Sequence, residues 1–158
     1  MSDTTASVMP AGPSAIASFA FRVLRIADRI PLSLVQLISR LAAAHVFWNS
    51  AHSKLASWQV TQQLFEMEYH VPLLPPEIAA PMATATELCG SILLFFGLFA
   101  RFGALALLGV VAIIQLFVFP GNWGEHLTWA SLLLLILLRG AGAISIDHFI
   151  RRYFEPRA

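Results

Sequence analysis

The feature that most constrains this chain is a pair of long apolar segments that carry almost no charge. Residues 78–99 contain one charged side chain, Glu87, and residues 102–119 contain none. A helix needs roughly 20 mainly apolar residues to cross the ~30 Å hydrocarbon core of a bilayer. Because both segments reach about that length, the sequence predicts an integral membrane protein.

The overall composition agrees with this class and excludes several others. Of the 158 residues, 58% are hydrophobic and 12% are charged, whereas an average soluble domain has about 45–50% and about 25%. The formal net charge is +1, so no basic surface is available to neutralise phosphates, and we expect no nucleic-acid partner. A single cysteine, Cys89, permits neither an internal disulfide nor a cysteine zinc site.

Two further segments lead to a prediction of four membrane spans. Residues 32–48 are mainly apolar but are interrupted by the ionisable residues Arg40 and His45. A last apolar segment begins near Gly124 and ends at Arg139, just before Gly140 and Gly142. The predicted fold is an all-α, integral membrane four-helix bundle that occupies residues 32–150. The principal partner of such a protein is the lipid bilayer.

Helices outside the bundle are predicted on both sides of the first span. Residues 15–31 place apolar side chains at spacings of three and four, which predicts an N-terminal amphipathic helix on the membrane surface. Residues 58–69 have aromatic residues at both ends, which predicts an outer interfacial helix. We predict a flexible tail for residues 1–14 and a basic cytoplasmic tail for residues 151–158.

The basic residues predict how the spans are oriented. Arginine and lysine concentrate in cytoplasmic loops of membrane proteins. In a model with four spans, the loops on one side of the membrane contain a single basic residue, Lys54. The basic residues on the other side are Arg22, Arg25, Arg29, Arg101, Arg139, Arg151, Arg152 and Arg157. We therefore expect both termini to be cytoplasmic.

Ionisable residues inside a membrane span are costly to insert and are candidates for function. With a rise of 1.5 Å per residue, Arg40 lies ~12 Å and Glu87 ~18 Å from the cytoplasmic edge. We predict that these two side chains form a buried pair, which fixes helix register in the simplest interpretation.

Other polar and aromatic side chains reach a similar depth and predict a ligand site in the outer half of the bundle. The candidate ligand-binding residues are His45, Gln115, His126, Trp48 and Trp129. Three interpretations remain open at this point. The bundle is dry, or a quinone stacks on a tryptophan, or imidazole and carboxylate ligands hold a divalent metal. No catalytic motif is present, so we expect no catalytic activity from the chain on its own.

Four motifs occur in order along most of the chain. They are Arg40, the segment FWNSAHSK that ends at Lys54, the segment ELCGSILLFFGLFARFGAL from Glu87 onward, and RGAGAISIDHFI near the C-terminus. In these motifs the chain resembles the DoxX family of small bacterial four-helix membrane proteins. The resemblance implies a multi-pass protein of the bacterial cytoplasmic (inner) membrane.

A narrower similarity lies in EYHVPLLPPEIAA, IQLFVFP, HLTWA and RGAGAISIDH. These segments resemble DoxX proteins encoded beside peptide-modifying multinuclear iron enzymes. That similarity implies an accessory component of a redox or metal-stress system, with a membrane or peptide partner encoded nearby. A quinone-linked membrane subunit of an oxidoreductase and an exporter of a modified peptide are the alternatives, and a homo-oligomer is also open.

Overall fold

In the computed structural model, residues 15–69, 71 and 74–154 are described. This part of the chain contains seven helices and no strand, which confirms the all-α prediction for the described residues. The predicted N-terminal tail, residues 1–14, lies outside the described residues. Of the predicted C-terminal tail, residues 151–158, the last four residues lie outside them. The helices are α1 (Ala15–Ala27), α2 (Leu32–Ala56), α3 (Trp58–Met67), α4 (Pro76–Phe96), α5 (Ala100–Ile113), α6 (Trp123–Arg139) and α7 (Ile146–Phe154).

The first helix belongs to a unit of its own, residues 1–31, distinct from residues 32–158. Helix α1 lies where the surface helix was predicted, and Ile16, Phe19 and Ile26 on it are exposed. The backbone N–H of Asp28 donates to the carbonyl of Leu24 and marks the end of the helix before Pro31.

Four helices of the second unit pack on one another. Helix α2 contacts α4 and α6, and helix α5 contacts the same two helices. Their shared core includes Phe47, Leu94, Leu107 and Ile136. Helices α4 and α5 approach closely, because a side chain in place of Gly90 would run into Leu107, as is common where membrane helices pack through small residues.

Two stretches are long and apolar enough to cross a membrane by length and composition, namely α4 (Pro76–Phe96) and the stretch Ala100–Val118 that begins with α5. Helix α2 is less apolar because it carries buried polar residues, among them Gln36 and Arg40. Helix α6 has 17 residues, which corresponds to about 26 Å of helix.

The observed helix ends correct the predicted first span. Helix α2 continues to Ala56 instead of ending at Trp48, because neither proline nor glycine interrupts the chain between these residues. Helix α4 begins at Pro76 and ends at Gly97, which takes the left-handed conformation with φ 64° that commonly ends a helix. Lys54 therefore lies on the same helix as Arg40, and not in a loop.

The turn between α4 and α5 is held by the last described helix. Phe99 has φ 45° and is the one non-glycine residue with positive φ in the described part of the chain. The Asp147 carboxylate accepts hydrogen bonds from the backbone N–H groups of Phe99 (2.7 Å) and Ala100 (3.0 Å). The N–H of Asp147 donates to the carbonyl of Gly97 at 2.9 Å. Helix α7 is thereby tied to this turn.

Candidate functional site

A cavity of about 320 Å³ lies among the helices of the second unit. Helices α2 and α5 contribute residues from their C-terminal halves, and α4 and α6 contribute residues from their N-terminal halves. These four ends therefore meet at one end of the packed helices, away from Arg101 and Arg139. The walls are mainly apolar and include Phe47, Ile113 and Trp129.

An ion pair between Lys54 and Glu87 forms part of the cavity wall. The Lys54 Nζ donates to Glu87 Oε1 at 2.8 Å, to Glu87 Oε2 at 2.7 Å and to Ser50 Oγ at 2.8 Å. The Glu87 side chain is 1% exposed and that of Lys54 is 17% exposed. Burial of such a charge requires a partner and hydrogen bonds, and each of these two groups provides them for the other.

The predicted pair of Arg40 with Glu87 is therefore wrong in its partner. Arg40 is buried, but its Nη1 donates to the carbonyl of Ala141 at 2.9 Å, and the guanidinium lies beside Gly97. Gly97 follows Glu87 by ten residues of α4, or ~15 Å along the helix. The arginine side chain extends toward the glycine-rich segment after α6 and not toward Glu87.

His126 forms a second polar group at the cavity wall, and it is held from behind by Gln115. A π-helical turn, Ile114–Val118, follows α5 and places Gln115 in a buried position. The Gln115 Oε1 lies 2.6 Å from His126 Nδ1, and the Gln115 Nε2 donates to the carbonyl of Pro120 at 2.7 Å. The Trp129 ring centre lies 5.2 Å from that of His126. π turns of this kind are frequent at functional sites.

His45 and Trp48 do not reach this cavity. They line a separate crevice of about 600 Å³ between α2 and α4. Both residues are exposed, and His45 Nε2 lies 3.0 Å from the side-chain nitrogen of Asn49. The residues of α2 that line the cavity, Val46, Phe47, Ser50 and Lys54, share one helix face. At 3.6 residues per turn, His45 and Trp48 lie on the opposite side of the helix.

The predicted ligand site is thus divided by the structure. Glu87, His126 and Trp129 line one cavity, and Gln115 supports it from outside the wall. Lys54, Ser50 and Tyr69 also line that cavity and were missed as site residues. The signal for Lys54 was its recurrence with Arg40 and Phe47 at intervals of seven residues, which is about two turns of one helix face.

Tyr69 closes the cavity from the segment that connects α3 to α4. Its ring packs edge-on against Phe65 and Phe119, with centroid distances of 5.1 Å and 5.8 Å. Burial raises the pKa of the Tyr69 phenol above its ordinary value, and the nearby charges of Glu68 and Glu87 raise it further. The hydroxyl therefore stays protonated at neutral pH.

The described residues contain no group of three or more histidine, cysteine, aspartate or glutamate side chains that could hold a metal ion. The chemistry of the cavity is that of an apolar pocket with a few polar groups. A pocket of this kind binds small ligands through apolar contact and orients them through hydrogen bonds.

The helical fold, the apolar spans and this cavity define a class of small helical membrane proteins. The DoxX family matches residues 35–120, more than half of the chain, and the protein belongs to the DoxX family. The matched region contains Arg40, Lys54, Glu87 and Gln115, and it ends before His126.

One relative is an uncharacterized protein of Haemophilus influenzae. It is 24% identical over 123 residues, which cover 70% of this chain and 82% of the relative. No solved structure matches the chain.

Proposed function

We propose that this DoxX-family protein is a non-catalytic accessory component of a redox or metal-stress system, and that it holds a lipophilic ring compound of the quinone type in the cavity. The observation that carries the proposal is the cavity itself, about 320 Å³ in volume and apolar except for the Lys54–Glu87 pair, His126 and a few other polar groups. That volume lies at the lower end of the ~300–1,000 Å³ typical of small-molecule sites.

The proposed setting is the bacterial inner membrane, with α2, α4, α5 and α6 as a four-span bundle. Exposed apolar side chains such as Phe95, Leu116 and Leu138 on the outside of these helices support contact with lipid. Arg101 and Arg139 lie at the end of the helices opposite the cavity, and basic residues concentrate on the cytoplasmic side. The cavity is then in the outer half of the membrane, and both termini are cytoplasmic.

The proposed assignment to redox or metal stress rests on the resemblance to DoxX proteins encoded beside peptide-modifying iron enzymes. A membrane protein or a modified peptide encoded nearby would be the partner. The segment EYHVPLLPPEIAA, which carries part of the resemblance, includes Tyr69, Val71 and Leu74 at the cavity wall. A partner that binds over this segment would control access to the cavity.

A quinone-linked membrane subunit of an oxidoreductase is the second candidate. It is favoured by the ionisable groups on the cavity wall, among them Lys54, Glu87 and His126, because such groups can exchange protons with a bound ring compound. In that case the purified protein, supplied with a reduced quinone and an electron acceptor, would turn the quinone over.

The proposal is tested by extracting the purified protein with organic solvent and identifying the extracted compounds by mass spectrometry. Ala83 lines the cavity, and Ala83→Phe would fill it. Ala85, exposed on the same helix, provides the matched control Ala85→Phe. We expect a ring compound in near-stoichiometric amount with the wild type and with Ala85→Phe, and its loss with Ala83→Phe. Equal amounts in both variants would overturn the proposed site.

A further inference from the structure

The hydrogen bonds of Gln115 determine which nitrogen of His126 carries the proton. The Gln115 Nε2 donates to the carbonyl of Pro120 at 2.7 Å, and a carbonyl can only accept. The Gln115 Oε1 therefore faces His126 Nδ1, at 2.6 Å, and an amide oxygen can also only accept. His126 Nδ1 must be the donor. Since a neutral imidazole has one N–H group, Nε2 is left with a free lone pair.

This lone pair is presented to the cavity. His126 lines the cavity, whereas Gln115, which holds Nδ1, does not. His126 as a residue is 3% exposed, and because Nδ1 faces Gln115 we assign Nε2 to the cavity side of the ring. His126 therefore offers a ligand a hydrogen-bond acceptor.

The neighbouring lysine does not supply a donor in its place. An ammonium group has three N–H donors, and the three hydrogen bonds of Lys54 go to Ser50 and to the two oxygens of Glu87. The Glu87 carboxylate keeps further lone pairs and is itself an acceptor. Tyr69 and Trp129, elsewhere on the wall, carry an O–H and an N–H, so a ligand with a second, accepting oxygen is also matched.

We infer that the ligand of this cavity is a lipophilic phenol or hydroquinone, whose hydroxyl donates to His126 Nε2. The inference rests on the proposed function and narrows it, because it selects the reduced form of a quinone over the oxidised form. An oxidised quinone has only carbonyl oxygens, which can accept from Tyr69 or Trp129 but leave His126 Nε2 without a donor.

The test compares two probes that are neither quinones nor hydroquinones and that differ in one donor, 1-naphthol and 1-methoxynaphthalene. Binding is measured by equilibrium dialysis against the full chain in nanodiscs of phosphatidylethanolamine and phosphatidylglycerol, and partition into empty nanodiscs is subtracted. One hydrogen bond contributes about 0.5–1.5 kcal/mol, so we expect 1-naphthol to bind about two- to thirteenfold more tightly.

His126→Phe keeps a flat ring at this position but removes the acceptor. It should abolish the preference for 1-naphthol while 1-methoxynaphthalene binds as before. Gln115→Leu is a second variant, used if His126→Phe is not monodisperse on size exclusion. Without Gln115 the imidazole is free to carry its proton on Nε2 and to donate to the ether oxygen of 1-methoxynaphthalene. The ratio of the affinities for 1-naphthol and 1-methoxynaphthalene should therefore decrease. A preference that persists unchanged in the variant tested would overturn the inference.

Failure of the inference and failure of the proposed site give different results. Equal binding of both probes to the wild type, lost for both in Ala83→Phe, overturns the inference and leaves the cavity as a ligand site. Binding of neither probe beyond the empty nanodiscs overturns the proposed function together with the inference.

Discussion

At the scale of single residues, Lys54 and Glu87 place opposite charges against each other at the wall of the cavity, 2.7 Å apart. Removing one partner of a buried ion pair leaves an unpaired charge and costs about 3–5 kcal/mol. We expect Glu87→Gln and Lys54→Met each to lower the melting temperature of the detergent-solubilised protein, and the double variant to recover part of the loss. The measurement is the fraction that remains monodisperse on size exclusion after heating.

The matched control for this cycle is Arg40→Gln combined with Glu87→Gln. Arg40 donates to Ala141 and lies ~15 Å along the helices from Glu87. Effects at that distance should add within about 0.5 kcal/mol. The pairing seen in the structure would be contradicted if the losses of stability in the Lys54 and Glu87 variants were simply additive in their double variant. It would also be contradicted if the losses in the Arg40 and Glu87 variants were not additive.

Sequence reasoning reached the burial of Arg40, Glu87, Gln115 and His126 because a polar residue within an apolar helix has to turn inward. It did not reach their partners. Depth along a helix follows from residue number, but the direction of a long side chain depends on which backbone carbonyls are left without donors. The carbonyl of Ala141 accepts from Arg40, and no pattern in the sequence shows that this carbonyl is available.

At the scale of helices, α7 stabilises the turn between α4 and α5. The Asp147 carboxylate accepts from two backbone N–H groups at the start of α5, which would otherwise lack partners. We expect Asp147→Ala to cost about 0.5–2 kcal/mol, the usual range for losing a helix cap. Asp147→Asn retains one oxygen and should cost less. The melting temperature in detergent gives the order of stability.

His148→Ala is the control for this prediction, because His148 is exposed on the same helix. Its melting temperature should match that of the wild type. If the melting temperature of Asp147→Ala equals that of His148→Ala, the two hydrogen bonds of Asp147 do not stabilise the turn.

The helix boundaries show where sequence patterns suffice. Helix α6 ends at Arg139, where the following glycines predicted its end, because glycine marks helix C-termini. Helix α4 ends at Phe96, three residues before the end of the predicted segment 78–99. The end of α2 was missed because Asn49, Ser50 and His52 are polar and were interpreted as a loop. Polarity in a membrane protein marks the edge of the apolar layer and not the end of the helix, which here continues to Ala56.

At the scale of the whole molecule, the two ends of the packed helices differ in charge. Arg101 and Arg139 lie at one end, and at the other end the one basic side chain of the described α2, α4, α5 and α6, Lys54, is neutralised by Glu87. An end whose cation is already paired with a carboxylate is easier to move across a membrane than an end whose arginines form no ion pair among the described residues. This asymmetry supports the proposed orientation more strongly than a count of basic residues alone.

The orientation is tested by single cysteines in a Cys89→Ser background. Gly121, in the connection between α5 and α6, has open space around it, and Ile144, in the segment after α6, is 53% exposed. We expect Gly121→Cys to react with a membrane-impermeant maleimide added to intact cells after the outer membrane is removed. Ile144→Cys should react only after the inner membrane is disrupted, because the arginine-rich end is held in the cytoplasm. The reverse pattern would place the cavity on the cytoplasmic side, and reaction of both from outside would exclude four spans.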